Sequence, residues 1–218
     1  MSDFIVHAIP GSPFARAVMA VMAEKGAPYR LAALKPGEHK QPAHLARHPF
    51  GRMPAIEHGD FGLYETQAIL RYIDRTWPTP PLTPAEPKAA ARMDQAMAVA
   101  DWYLFPGVAS VIGFQRVVGP ALLGLVPDEA ACAAAMPAAH TVFAALADLL
   151  GDRPFFAGAV SLADFLLAAQ INFLERAPEW AALTAERAAL PRWLARMQAR
   201  PSFAATTWER VAELAAAA

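Results

Sequence analysis

The side chains and backbone groups best placed to do chemistry lie between His48 and Ile73, in the run HPFGRMPAIEHGDFGLYETQAILRYI. Met53-Pro54 stands just before a short apolar run, Ala55-Ile56. Proline donates nothing to a ladder and belongs at a strand's first residue or edge. X-Pro is also the one common site of a cis peptide bond. A cis bond here would turn the backbone N–H and C=O of Met53 outward, free to pair with an extended ligand. Gly59-Asp60 reads as a tight turn, with Phe61 to Tyr64 as the returning strand. Thr66 is a candidate N-cap for the residues that follow, whose apolar positions recur at helical spacing up to Ile73. The unpaired N–H groups and partial positive charge at that helix start suit a carboxylate. A small peptide-like molecule bearing a carboxylate would fit between the two features. The same stretch is also readable as a hairpin followed by a capped helix with no ligand, because each feature is common singly.

Other reactive types are explained by structure. Ser161 and Asp164 could be a catalytic pair, but no base accompanies them. Their spacing before the apolar run Phe165 to Ala169 matches a capping box with Asp in place of Glu or Gln. His7 lies in a predicted strand and is expected to be a satisfied core or edge histidine. Cys132 is the single cysteine. It rules out a disulfide framework, a CxxC pair and a cysteine-based zinc site within one chain, and it suits a reducing cytoplasm.

The elements that must position these residues follow from the breaks in the chain. Phe4 to Ile9 reads as a strand, ended by Pro10-Gly11. Ser12-Pro13-Phe14 opens a helix, with serine at the N-cap and proline at N1, where its missing N–H costs nothing. Gly26-Ala27-Pro28 stop it, and Tyr29 to Leu34 is a second strand. Strand–helix–strand with a right-handed crossover, a polar connection, then strand–strand–helix is the thioredoxin-like order. The segment 76–88, TWPTPPLTPAEPK, is dense in proline and reads as a semi-rigid linker. Beyond it the sequence is rich in Ala and Leu. Helices are expected over about 88–118 (bent near Pro106), 128–150 (kinked or divided at Pro137), 162–175, 191–199 and 203–214. The expected division is therefore an α/β domain, 1–77, a linker, 78–87, and an all-helical domain, 88–218.

The chain has 218 residues, 56% hydrophobic and 18% charged, with a formal net charge of −1. That is enough for one large core or two small ones. The charge gives no electrostatic case for nucleic acid or an anionic membrane. The first residues lack the basic, long apolar character of a signal peptide. No uncharged apolar stretch is expected to reach the length of a bilayer span. A cytoplasmic location is the expectation.

A thioredoxin-like half, a proline linker and a helical half together resemble a cytosolic glutathione S-transferase, over nearly the whole chain. GSPFARAVMAVMAEKGAPYRL resembles the first strand–helix–strand unit of the serine-type classes. GEHKQPAHLARHPFGRMPAIEHGDFGLYETQAILRYI is very close to the phi-class pattern GEHK…NPFG-Q-V-P-A…LFES-R-A-I, and SLADF resembles the family's C-terminal capping motif. The resemblance implies that Ser12 hydrogen-bonds the glutathione sulfur. His39 and Lys40 would hold the glycine carboxylate. Met53, before a cis Pro54, would pair with the cysteinyl backbone, and Glu65 and Thr66 would fix the γ-glutamyl end. Arg52 stands where the family usually has Gln, and Thr66 where it usually has Ser. Glutathione is the implied co-substrate, with no metal. A small apolar electrophile would bind between the halves, near Phe14, Leu34, Trp102, Phe105 and Phe114. Phe50, in its Pro-Phe-Gly loop, would insert into a partner subunit of a homodimer. Peroxide reduction or dehalogenation are related activities, and a non-catalytic glutathione- or ligand-binding protein on the same fold is the alternative. Tyr29, Tyr64, Tyr72 and Tyr103 lie away from the end of the first strand, and Cys132 falls in the helical half, which excludes the tyrosine- and cysteine-type readings.

Overall fold

Alternation of short strands with proline- and glycine-marked breaks produces, in the computed structural model, a thioredoxin-like domain and a helical one. The structure describes residues 3–216. In chain order the first elements are β1 (Phe4–Ala8), α1 (Pro13–Glu24), β2 (Arg30–Ala33), α2 (Pro42–Leu45), β3 (Ala55–His58), β4 (Phe61–Tyr64) and α3 (Thr66–Thr76). The strands form one mixed sheet in the order β2-β1-β3-β4. β1 runs parallel to β2, and β3 is antiparallel to both β1 and β4, with His7 opposite Ala55 and Ala55 opposite Tyr64. The first pairing is parallel because α1 carries the chain back across the sheet.

The helical elements are α4 (Pro87–Val99), a continuation in wider π-type turns (Ala100–Val118), α5 (Gly119–Leu123), α6 (Glu129–Leu150), α7 (Leu162–Leu174), α8 (Trp180–Thr184), α9 (Ala189–Gln198), α10 (Pro201–Ala204) and α11 (Trp208–Ala216). They do not all belong to one body. One compact unit takes the described residues up to Thr83 together with those from Gln198 onward, and the other is Pro84–Met197. The described residues from Gln198 onward, within the expected helical segment 88–218, group with the first unit. The last segment belongs to the first unit because α1 holds it. The Arg16 guanidinium donates to the Phe203 carbonyl at 3.3 Å and lies 3.9 Å above the Phe203 ring. Glu24 accepts from both the Arg200 guanidinium and the Ser202 hydroxyl.

Within the first unit, α1 buries Ala15 to Met22 and packs against α3, whose Ile69, Leu70 and Ile73 are fully buried. Each such aliphatic side chain contributes about 1.5–3 kcal/mol. The far end of α1 is capped by Lys25, whose ammonium is wholly buried. It donates to Asp74 of α3 at 2.5 Å and to the Pro80 carbonyl. The Leu82 N–H reaches the same Asp74 oxygen at 2.9 Å. The beginning of the proline-rich segment is thereby fastened to the first unit.

In the second unit, α7 is apolar all round, and everything from Ser161 to Ile171 is buried, as a central helix requires. Its start is built as a cap. Ser161 donates from both its N–H and its hydroxyl to one Asp164 carboxylate oxygen, each at 2.8 Å. The other oxygen accepts from the Phe156 N–H at 3.1 Å and the Trp193 indole at 2.8 Å. Ser161 and Asp164 are therefore a structural pair.

Pro137 does not divide α6, which runs unbroken through it. It is exposed, as is Ala133, whose carbonyl loses its partner, so that carbonyl faces water. The expected helix over 203–214 is broken in two, because the Thr206 hydroxyl donates back to the Phe203 carbonyl at 3.1 Å while Thr207 caps the Arg210 N–H at 3.4 Å. The helical stretches Pro87–Leu123 and Glu129–Leu150 are long and apolar enough to cross a membrane by length and composition, contrary to the sequence expectation. Alanine supplies much of that apolarity in Glu129–Leu150, and each stretch buries a face that includes Met97, Leu104, Val108 and Ile112 or Ala139, Phe143 and Leu146.

Candidate active site

At the end of β1 the chain turns at Gly11, φ 95°, and Ser12 becomes the N-cap of α1 with Pro13 at N1. The Ser12 hydroxyl accepts from the Ala15 N–H at 3.3 Å. Serving as an acceptor leaves its own hydrogen to be donated elsewhere. Ser12 is half-buried, at a helix end whose partial charge favours an anion.

The Met53–Pro54 peptide bond is cis. The Met53 sulfur accepts from the Ile9 N–H at 3.4 Å, and the Ile9 carbonyl in turn accepts from the Ser12 N–H at 3.1 Å. Residues 53 and 12, far apart in sequence, are thereby tied through one intervening residue. Leu34 is brought to the same strand end by its N–H bond to the Ala8 carbonyl at 2.9 Å. Leu34 and Phe14 are both half-buried.

The polar connection folds as a single 3-10 turn, Glu38–Lys40, after Gly37. Its partner is Gly51, φ 56°. A Cβ there would lie 3.0 Å from the His39 carbonyl and 3.1 Å from the Lys40 ammonium. Only glycine admits this approach, which sets His39 and Lys40 beside Arg52. The Arg52 side chain is exposed, and its carbonyl is 2.7 Å from Nε2 of buried His44, which must donate. Burial lowers the His39 pKa, as do the neighbouring charges of Lys40 and His44. At neutral pH His39 is therefore a neutral hydrogen-bond donor beside a charged lysine.

Glu65 holds φ 71°, the one positive φ of a non-glycine among the described residues. Such backbone costs about 1–3 kcal/mol and concentrates at functional sites. Its carbonyl accepts from the Ile69 N–H at 3.0 Å, so Glu65 is the N-cap of α3 and Thr66 the first helical residue. This corrects the expectation that Thr66 caps the helix. The strained turn lifts the Glu65 side chain to the surface and leaves Thr66 nearly buried.

Behind this site, the buried His48 ring lies 4.8 Å from the Tyr64 ring and 6.2 Å from that of Phe50, which is 66% exposed. His7 is satisfied by Glu57 at 3.0 Å, and Arg47 reaches the other oxygen of that carboxylate at 2.8 Å. In the second unit Trp102 is exposed, and Phe105 and Phe114 are half-buried. Cys132 is buried, and burial pushes its thiol up, away from thiolate chemistry. Among the described residues no group of three or more His, Cys, Asp or Glu is arranged to hold a metal.

Sequence reasoning missed Trp208. Its indole lies over Gly11, 3.1 Å from where a Cβ would stand, and so borders the residue next to Ser12. The only signal was a glycine beside the candidate serine and a tryptophan near the C-terminus, with nothing in the sequence to join them.

Family models for the glutathione S-transferase N-terminal and C-terminal domains match residues 2–75 and 89–201. The chain belongs to the glutathione S-transferase family. A glutathione S-transferase of Hyoscyamus muticus is 32% identical over 203 residues, covering 91% of this chain and 94% of that protein. A probable transferase of rice, GSTF2, is 37% identical over 113 residues, which is 51% of this chain and 52% of that protein. Among solved structures, glutathione transferase F7 from Populus trichocarpa superposes with a TM-score of 0.82 at 28% identity, over 97% of this chain and 99% of that one. The F-type relatives agree with the phi-class pattern seen in the sequence. Several curated glutathione S-transferases of moderate identity support transferase activity in this family member.

Proposed function

We propose that this transferase binds glutathione along Met53, activates its thiol through Ser12 and conjugates it to a small apolar electrophile. The observation that carries this reading is the tie between the two residues. Ser12 offers a hydroxyl hydrogen at a helix N-terminus, and through Ile9 it is linked to the residue before a cis proline. The cysteinyl backbone of glutathione would pair with the Met53 N–H and C=O. The glycine carboxylate would meet neutral His39 and charged Lys40. The γ-glutamyl ammonium would meet Glu65, and its carboxylate the Thr66 hydroxyl and the first N–H groups of α3. Arg52 adds a cation where the family usually has an amide.

The Ser12 hydroxyl donates to the sulfur, and the thiol proton leaves to solvent. The thiolate then attacks an electrophilic carbon, which expels its leaving group or takes the charge into an activated double bond. Lowering a thiol pKa by two units requires about 2.7 kcal/mol. One charge-assisted hydrogen bond and a helix terminus supply that order. Half-buried Phe14 and Leu34, at the same strand end as Ser12, support an apolar electrophile. The exposed Phe50 supports a homodimer contact.

The test is the ultraviolet absorbance of bound glutathione thiolate near neutral pH. The native protein should show it, and Ser12→Ala should lose it together with most conjugation while keeping glutathione affinity. Thiolate in neither protein would favour the binding-protein alternative. Undiminished turnover in Ser12→Ala would remove Ser12 from the mechanism.

A further inference from the structure

The side chain of Met53 has a task separate from that of its backbone. Continuing the antiparallel register of β1 and β3 by two places sets Ile9 opposite Met53. The regular pairing ends at His7 and Ala55, short of that position. In a regular ladder the Ile9 N–H would next seek the Met53 carbonyl. Instead it donates to the Met53 sulfur at 3.4 Å. Among the described residues, no hydrogen bond from within the chain then occupies the Met53 backbone N–H or C=O. The same Ile9 fixes Ser12 through its carbonyl at 3.1 Å.

We propose that the Met53 thioether is a positioning residue for Ser12. By taking the Ile9 N–H it anchors the Ile9–Ser12 turn. Its catalytic consequence rests on the reading of Ser12 given above, but its structural part does not. A thioether is a weak, polarisable acceptor at the end of an adaptable stem. It can meet an N–H that a branched aliphatic side chain would leave unpaired.

Two variants separate the acceptor from the bulk. Met53→Leu conserves volume and removes the acceptor. Met53→Gln restores one in an amide oxygen. Amide hydrogen exchange in the free protein reads the anchor directly. Ile9 should exchange about five-fold faster in Met53→Leu, as expected for losing one weak hydrogen bond, with Val6 unchanged and Met53→Gln close to native. In catalysis, Met53→Leu should lower kcat about five-fold with glutathione KM little changed. The pH midpoint of thiolate absorbance should rise, and Met53→Gln should recover both. Unchanged Ile9 exchange in Met53→Leu overturns the proposal whatever Ser12 does. Faster exchange with an unshifted thiolate midpoint, in a protein where Ser12→Ala abolishes the thiolate, overturns its catalytic half. If Ser12→Ala turns over like the native protein while Ile9 exchange still rises, the reading of Ser12 fails and the anchor stands.

Discussion

Replacing Lys25 with methionine keeps an unbranched side chain one atom shorter and removes its charge from a site with no access to water. The Lys25 ammonium is fully buried, and Asp74 is 8% exposed. After the change, the Asp74 carboxylate keeps the Leu82 N–H and a bond from Thr83, but no cation. The Pro80 carbonyl also loses its donor. Breaking a buried pair on one side costs about 3–5 kcal/mol, against a total stability of about 5–15 kcal/mol. For a protein of this size that predicts a fall in Tm of about 6–20 °C. Urea unfolding should show a lower midpoint. Removing both partners, in Lys25→Met with Asp74→Leu, should recover much of the loss, because no uncompensated charge remains. The pH dependence has a definite sign. Burial raises the Asp74 pKa, but the Lys25, Thr83 and Leu82 bonds and the Lys25 charge outweigh it, and the net is below the ordinary value. A depressed folded pKa contributes stability that is present above the unfolded value, near 3.9, and lost as pH falls through the folded one. This loss below about pH 4 should shrink in Lys25→Met. A single variant that unfolds within about 1 kcal/mol of native would refute the account of a buried, energetically coupled pair.

Asp164→Ala should cost at least 3 kcal/mol, roughly one orphaned buried donor at a time. Ser161→Ala should cost only about 1 kcal/mol, and paired urea titrations would order the two. Glu65→Gly should raise Tm by relieving about 1 kcal/mol or more of backbone strain while weakening glutathione binding in calorimetry. A variant that is both less stable and binds normally would contradict both parts. Phe50→Ala should shift sedimentation toward monomer at micromolar protein without lowering the melting temperature of the isolated subunit. An unchanged mass would remove Phe50 from the proposed interface.

The order of the first elements was legible because proline and glycine mark nearly every boundary, from Pro10-Gly11 to Gly59-Asp60. The candidate residues were named by type and spacing, and the structure ties two of them, Ser12 and Met53, through Ile9. What stayed hidden depends on partners distant in sequence. Nothing near Arg16 announces Phe203, and nothing near Gly11 announces Trp208. The start of α3 was misplaced by one residue because a glutamate at positive φ is against its own propensity, and only the surrounding fold imposes it. The division of the last predicted helix turned on the side chains of Thr206 and Thr207, which compete with the backbone in a way that apolar spacing does not register.

The first unit is sewn from both ends of the chain, with the second spliced into it. A nascent chain emerging from the ribosome has β1 to β4 long before it has Phe203, Arg200 or Ser202. Until those residues arrive, Arg16 lacks the Phe203 carbonyl and Glu24 lacks Arg200 and Ser202. A fragment stopping at Thr83 should therefore be a poor stand-in for the native half. One that rejoins residues 198–218 through a short bridge should behave as a body of its own.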